Sequence, residues 1–227
     1  MVLLVLGRGK TGQLVADIAQ ARGHSVCVIG GQENQNAASL TPPMLAQFDA
    51  VIDFTTPAAV VPNLKACLSA GARVVVGTTG WYDNLNEIRA ICERRNAGLL
   101  YGSNFSIGVQ VMYRLAEDLA KLAKGYTITM SETHHVGKKD APSGTALSLK
   151  HVLESAAPSQ QVEIVSHREG DSLGTHVITA RSGEDLIEIK HEALSRRAFA
   201  EGAVRGAEWL AGRTGCFEFR EIYPQLP

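Results

Sequence analysis

The chain has 227 residues, of which 45% are hydrophobic and 20% charged, and its formal net charge is −1. That is enough chain for one large domain or two small ones, with the composition of an ordinary globular enzyme. The charge balance gives no reason to expect nucleic acid or an anionic membrane as a partner, and no apolar run reaches the roughly 18 residues of a membrane span.

Val2–Leu6 is a continuous apolar run, as expected of a strand buried on both faces. It is too short for the core of a signal peptide and has no basic lead, so a cytoplasmic location is expected. Gly7-Arg8-Gly9-Lys10-Thr11-Gly12 follows, and then Leu14, Val15, Ile18 and Ala19 recur at helical spacing. A G-x-G-x-x-G run between a strand and a helix is where a dinucleotide pyrophosphate binds: the glycines allow a tight turn and the helix N-terminus meets the phosphates. A Walker A loop is excluded, because Leu4 stands where that motif needs its first glycine.

Ser25–Ile29 predicts a second strand. Glu33 lies near the spacing at which an acidic residue bonds the adenosine ribose hydroxyls, though a solvated loop glutamate has the same appearance. No Lys or Arg occurs between Arg22 and Lys65, so Arg8 and Lys10 are the remaining cations for a 2′-phosphate. The polar stretch 30–43 reads as a shortened, exposed crossover with little helix. Val51–Phe54, Arg73–Val76 and Leu99–Tyr101 predict further strands. Helices are expected around Val60, Leu64 and Leu68, and over Leu85–Arg95. Repeated strand–turn–helix units imply a doubly wound parallel sheet. Gly77-Thr78-Thr79-Gly80 and Gly102-Ser103-Asn104-Phe105 end two of these strands, where such folds bind ligands. Their hydroxyls, amide and aromatic ring suit a nicotinamide, and the same residues also make ordinary turns. Cys27 and Cys67 sit among apolar residues and are expected in the core; the four dispersed cysteines form no metal-ligand pattern.

After Asn104 the pattern changes. Val109–Ala123 predicts a helix with Val111, Met112, Leu115, Leu119 and Leu122 as its core stripe. Tyr126–Met130 predicts a strand leading into Glu132-Thr133-His134-His135-Val136-Gly137-Lys138-Lys139-Asp140-Ala141-Pro142-Ser143-Gly144-Thr145-Ala146. A helix beginning near Thr145 would aim free N–H groups at an anion. Of the two histidines, one reads as a general acid or as a core residue. Metal binding is disfavoured, since adjacent side chains diverge and no nearby Cys or carboxylate offers suitable ligand geometry. Lys138 can donate a proton or neutralise a carboxylate. Val162–Ser166, His176–Ala180 and Asp185–His191 predict strands of a mixed or antiparallel sheet. Arg168, His176 and Arg196 read as solvated by default. Arg197–Leu210 predicts a last helix, and Cys216–Ile222 a closing strand.

The double-histidine run, with Ile52-Asp53-Phe54-Thr55-Thr56-Pro57, Asn104-Phe105-Ser106-Ile107-Gly108-Val109, Arg168-Glu169-Gly170, Gly174-Thr175-His176 and Phe199-Ala200-Glu201-Gly202-Ala203, resembles the 4-hydroxy-tetrahydrodipicolinate (dihydrodipicolinate) reductase family over nearly the whole chain. The resemblance implies a Rossmann-like α/β domain of residues 1–105 plus 197–227. It also implies an inserted α+β substrate and tetramerisation domain of residues 106–196. It implies reduction of a small cyclic imine dicarboxylate in diaminopimelate and lysine biosynthesis, with NADH and/or NADPH as reductant and no metal. By the same resemblance His134 is the proton donor and Lys138 its catalytic partner. His135, Ser143, Gly144 and Thr145 hold substrate. Gly7 to Gly12, Glu33, Gly77, Thr78, Thr79 and Gly102 to Phe105 hold the coenzyme, and the molecule is a homotetramer.

The chain departs from the family in a glycine loop one residue shorter than the common Gly-x-x-Gly-Arg-Met-Gly form, a truncated crossover and an unusual tail. Coenzyme preference is therefore left open. The competing readings are an amino-acid or semialdehyde dehydrogenase of the same fold, and a catalytically silent dinucleotide sensor. A thiohemiacetal mechanism would need a cysteine in the motifs, and none is there; a silent sensor would not retain the His134–Lys138 group.

Overall fold

The computed structural model describes residues 1–227. Strand β1 (Val2–Leu6) is apolar on both faces because it runs inside a sheet with cores on both sides. Leu3 and Val5 enter one core with Val15 and Ile18 of α1 (Lys10–Ala21), and Leu4 and Leu6 enter the other. β2 (Ser25–Ile29) is an edge strand, which leaves Cys27 exposed rather than in the core expected for it; Cys67 is buried. The crossover that follows is a 3-10 turn at Gln35–Ala37 and one turn of helix, α2 (Pro42–Leu45), pinned by buried Asn34 and Leu40.

The alternation continues through β3 (Ala50–Asp53), α3 (Pro57–Ser69), β4 (Arg73–Val76), α4 (Leu85–Arg94) and β5 (Gly98–Tyr101). The intervening chain then forms α5 (Ile107–Leu122), β6 (Thr127–His134), α6 (Gly144–Ala156), β7 (Glu163–Arg168), β8 (Thr175–Arg181) and β9 (Leu186–Glu192). α7 (Arg197–Leu210), β10 (Gly215–Glu218) and α8 (Phe219–Ile222) complete the chain. The tail is thus a short strand and a helical turn, not one strand to Ile222. Glu218 and Glu221 form a capping box that starts the turn, and Phe219 is driven into the core.

Two compact units result: Met1–Ser106 with Arg197–Pro227, and Ile107–Arg196. The first holds a six-stranded parallel sheet of order β10-β5-β4-β3-β1-β2. The chain leaves β1 toward β2 and returns to β3 on the other side. The carboxyl ends of β1 and β3 therefore flank the switch point, where a doubly wound sheet opens a crevice.

The second unit holds a mixed sheet of order β7-β6-β8-β9, with β6 parallel to β7 and antiparallel to β8. Along β6, Ile128, Met130, Glu132 and His134 point inward at alternate positions. α5 buries Val109, Met112, Tyr113, Ala116 and Ala120 against this core. Of its expected stripe, Met112 is buried and Leu119 packs partly against this core, while Val111, Leu115 and Leu122 are exposed, because alanines and a tyrosine supply the rest of the close-packing surface.

Candidate functional site

Two sites emerge, one in each unit. In the first, Gly7 has φ +109°, and a Cβ there would stand 2.3 Å from the Phe54 carbonyl oxygen. A Cβ on Gly12 would stand 2.1 Å from the Gly7 oxygen. Glycine is required at both positions for the turn to close onto β3 and α1. Gly9 is the opposite case: nothing lies within 4 Å of where its Cβ would be, so its backbone is bare. Gly9 is also the N-cap of α1 and no side chain caps that helix, so the first turn keeps unsatisfied N–H groups pointing outward. A 230 Å³ cavity joins this turn to Gly30, Asn34 and Thr55. A bare glycine and an uncapped helix end fit a dinucleotide pyrophosphate.

Glu33 is exposed but not free. Arg8 donates to both its oxygens, at 3.1 and 3.0 Å, and the Gly30 N–H donates at 2.6 Å. The Gly30 N–H, and then Arg8, hold the Glu33 carboxyl below its ordinary range. Lys10 and Thr11 open α1 beside this pair.

The two other turns are braced from within. Thr78 Oγ donates to Asp53 Oδ1 at 2.9 Å and accepts the Thr55 N–H at 2.8 Å. Asp53 is fully buried and also accepts Asn63, which in turn accepts Asn34. Gly77 leaves room for the Phe54 ring, and Gly102 lies against Phe219. Phe105 is 2% exposed, with its ring 4.4 Å from that of Phe219. Thr78 and Phe105 therefore also brace their turns from inside. Thr79 and Ser103 are exposed, and Asn104 Oδ1 accepts the Ser106 N–H.

In the second unit, strand register assembles what sequence separation conceals. Ser166, Glu132, His176 and His191 stand side by side on β7, β6, β8 and β9, and Arg168 is paired with His134 one step along. Glu132 is 1% exposed. Its carboxylate accepts the Ser143 N–H at 3.0 and 3.1 Å, Ser166 Oγ at 2.9 Å and Arg168 at 3.1 Å. Burial alone would raise this carboxyl; these donors outweigh burial and hold it below the ordinary range.

His134 Nδ1 lies 3.3 Å from Glu132 Oε2, off the line of a hydrogen bond, so the contact is electrostatic rather than a formed bond. Burial lowers the His134 imidazole, Glu132 opposes that, and Lys138 and Arg168 reinforce it. His176 is 4% exposed, with Nε2 3.3 Å from Ser143 Oγ and 3.8 Å from Glu132. Burial foremost, then neighbouring His134, pushes it down to about 4. Both His176 and Arg168 are thus built into the site, against their expected solvated places.

Lys138 donates to Asp140 at 2.8 Å, and Arg168 donates to the Asp140 carbonyl. The His135 N–H is fixed on the Ser172 carbonyl at 2.8 Å. Ser143 caps α6 by accepting the Ala146 N–H, and Gly144 and Thr145 form the first turn, with open space above Gly144. The expected group His134, Lys138, Ser143, Gly144 and Thr145 is therefore gathered at one end of the small sheet. The signal that could have exposed Glu132 was the odd one: a carboxylate on the apolar face of an alternating strand, two residues before a histidine.

The family models for dihydrodipicolinate reductase match this chain at residues 1–105 for the N-terminal part and 108–222 for the C-terminal part. A 4-hydroxy-tetrahydrodipicolinate reductase from Christiangramia forsetii is 35% identical over 100% of this chain and 99% of its own. One from Natronomonas pharaonis is 33% identical over 97% and 98%. Among solved structures, a dipicolinate-bound dihydrodipicolinate reductase from Paenisporosarcina sp. TG-14 covers 98% of this chain and 99% of that one at 22% identity and TM-score 0.82. An amine dehydrogenase from Mycobacterium smegmatis shares the fold at TM-score 0.67 and 11% identity, covering 100% and 96%. With both family models matched in order along almost its entire length, the chain belongs to the dihydrodipicolinate reductase family.

Proposed function

We propose that the chain reduces 4-hydroxy-tetrahydrodipicolinate, or the dihydrodipicolinate formed by its dehydration, to tetrahydrodipicolinate in diaminopimelate and lysine biosynthesis. The observation that carries this is the convergence of a buried histidine, a lysine and an outward helix N-terminus in the unit matched by the family's C-terminal model. Bound NADH or NADPH supplies a hydride for ring carbon 4. His134 supplies the proton that completes the addition across the conjugated imine. Lys138, His135 and the Ser143-Gly144-Thr145 turn hold the two carboxylates. Ser143 contributes mainly by capping, since its N–H and Oγ are already engaged inside.

Unit Met1–Ser106 with Arg197–Pro227 is read as the coenzyme domain: Gly7 to Gly12 for the pyrophosphate, Glu33 for the ribose, and the turns at 77–79 and 102–105 for the nicotinamide. NADH serves at least as well as NADPH, because Glu33 favours free ribose hydroxyls and occupies Arg8. No metal enters this proposal: the cation beside the Glu132 carboxylate is the Arg168 guanidinium. The outer face of the small sheet, with Ser131, Val165, Val177 and Lys190 in one row, none of them buried, is read as a homotetramer interface. No helix is long and apolar enough to cross a membrane. A cytoplasmic enzyme without a nucleic-acid partner fits this reading.

The test uses purified chain, freshly generated substrate and each reduced coenzyme, followed by coenzyme oxidation. Pyridine-2,6-dicarboxylate, which copies the ring and both anions, is expected to compete with substrate and to bind better once NADH is present. Thr145→Val should weaken that binding by about 1–3 kcal/mol, the loss of a hydrogen bond to a charged group. Calorimetry that shows no binding of the dicarboxylate, with or without NADH, would overturn the substrate class.

A further inference from the structure

Glu132 is charged, buried and central to the small sheet, yet none of the roles above uses it. We propose that Glu132 is the positioning residue of the reduction: it holds the α6 N-terminus beside His134, and its carboxylate supports the protonated ring against burial and the neighbouring cations. This rests on the reading of His134 as proton donor.

Three observations carry it. First, one carboxylate ties three strands and a helix together, accepting from Ser166 on β7 and Arg168 at its end, standing opposite His176 on β8, and holding the N-cap of α6 through Ser143. Moving it would shift the turn that carries Gly144 and Thr145. Second, Glu132 meets the imidazole on its Nδ1 side, so Nε2 is the nitrogen left to pass a proton on. Gly174, at φ +142°, packs beside Nε2, and a Cβ there would stand 2.9 Å from that atom and crowd it. Third, the charges facing His134 do not favour its protonated form without Glu132. Arg168 on β7 and Lys138 in the loop are cationic, and His176 on β8 adds no negative charge. Asp140 is anionic but bonded to Lys138. Burial also opposes the imidazolium, and Glu132 is the largest influence in its favour.

The experiment is the single-turnover rate of the full chain with saturating NADH, measured from mildly acidic to mildly alkaline pH. A general acid loses rate as pH rises through its own titration. In Glu132→Gln the amide can donate to Nδ1 and so favours the neutral ring. The alkaline limb should then move down by about one pH unit, as expected for losing an opposite charge at this range. The wild-type to variant ratio should grow from near unity in acid to about tenfold above the limb. Arg168→Met removes a repelling cation and should move the limb the other way. That second variant keeps the proposal testable if Glu132→Gln does not fold. A Glu132→Gln profile lowered by one factor at every pH, or limbs unmoved in both variants, overturns the positioning role. Near-normal turnover of His134→Gln instead overturns the reading beneath it, whatever Glu132 does.

Discussion

The two sites are built by opposite means. The coenzyme turn is made by leaving atoms out: Gly7 and Gly12 because a methyl would collide with backbone, Gly9 because its backbone must stay bare. The candidate substrate site is made by putting ionisable groups in, with Glu132, Arg168, His134 and His176 packed at one end of a small sheet. A site made of absences is sensitive to added volume and insensitive to pH. A site made of buried charge is sensitive to deletion and to protons.

Deletion in the charged site should cost most. His134→Gln and Lys138→Ala are each expected to lower turnover by about a hundredfold or more, the scale for losing a general acid or its partner. Circular dichroism should show both folded. Near-normal turnover in either removes that residue from the chemistry.

Protons come next. The His176 imidazole titrates at about 4 in the fold, chiefly because it is buried, against an ordinary value of 6.5. Above 6.5 it is neutral whether folded or unfolded, and its contribution is fully present. As pH falls from 6.5 toward 4 the unfolded chain takes up a proton that the folded chain refuses, and stability is lost. The loss approaches about 3 kcal/mol across that window. Urea unfolding at points within it should show this loss in the wild type and a smaller one in His176→Asn. Equal losses would mean that another group governs the acid response.

Added volume is the test of the glycine turn. Gly12→Ala should destabilise the fold by about 1–3 kcal/mol through overpacking, by nearly the same amount at every pH. A pH-dependent cost there would break the division between the two sites. Gly9→Ala, with open space around its Cβ, should leave stability within about 0.5 kcal/mol and raise the KM for coenzyme instead.

The same contrast explains what could be read without coordinates. The parallel sheet was legible because Val2–Leu6, Val51–Phe54 and Arg73–Val76 are short, largely apolar runs with turn residues at their ends, and local patterns suffice for that. The glycine turn was legible for the same reason. The segment from His134 to Thr145 was legible because its polar groups lie within one stretch of chain. Glu132 as a hub was not: its partners Ser166, Arg168 and His176 come from other strands, and only register brings them together. The face of α5 was only partly legible: Met112 and Leu119 do face the core, but Leu115 and Leu122 outrank Ala116 and Ala120 in hydrophobicity, while close packing selected the alanines. The packing of the Phe105 ring onto Phe54 and Phe219 was not legible either, because a turn position does not reveal it.

The smallest effect expected is at the one charged pair in the coenzyme region, Arg8 with Glu33. Both side chains are more than half exposed, so solvent and salt screen the pair and it contributes little to stability. Its importance is directional. While Glu33 holds Arg8, the carboxylate can accept ribose hydroxyls and repels a 2′-phosphate. Glu33→Ala removes the acceptor and frees the guanidinium. kcat/KM for NADH should fall and that for NADPH rise, for a combined change in their ratio of about tenfold at low salt, since two such modest effects multiply. Raising the ionic strength should shrink the NADPH gain and leave most of the NADH loss, because a lost hydrogen bond is not screened as an ion pair is. A hundredfold preference of the unaltered chain for NADPH would show that Arg8 and Lys10 dominate despite Glu33. The coenzyme region would then be chosen by charge as well, and the division between the two sites would fail where it is weakest.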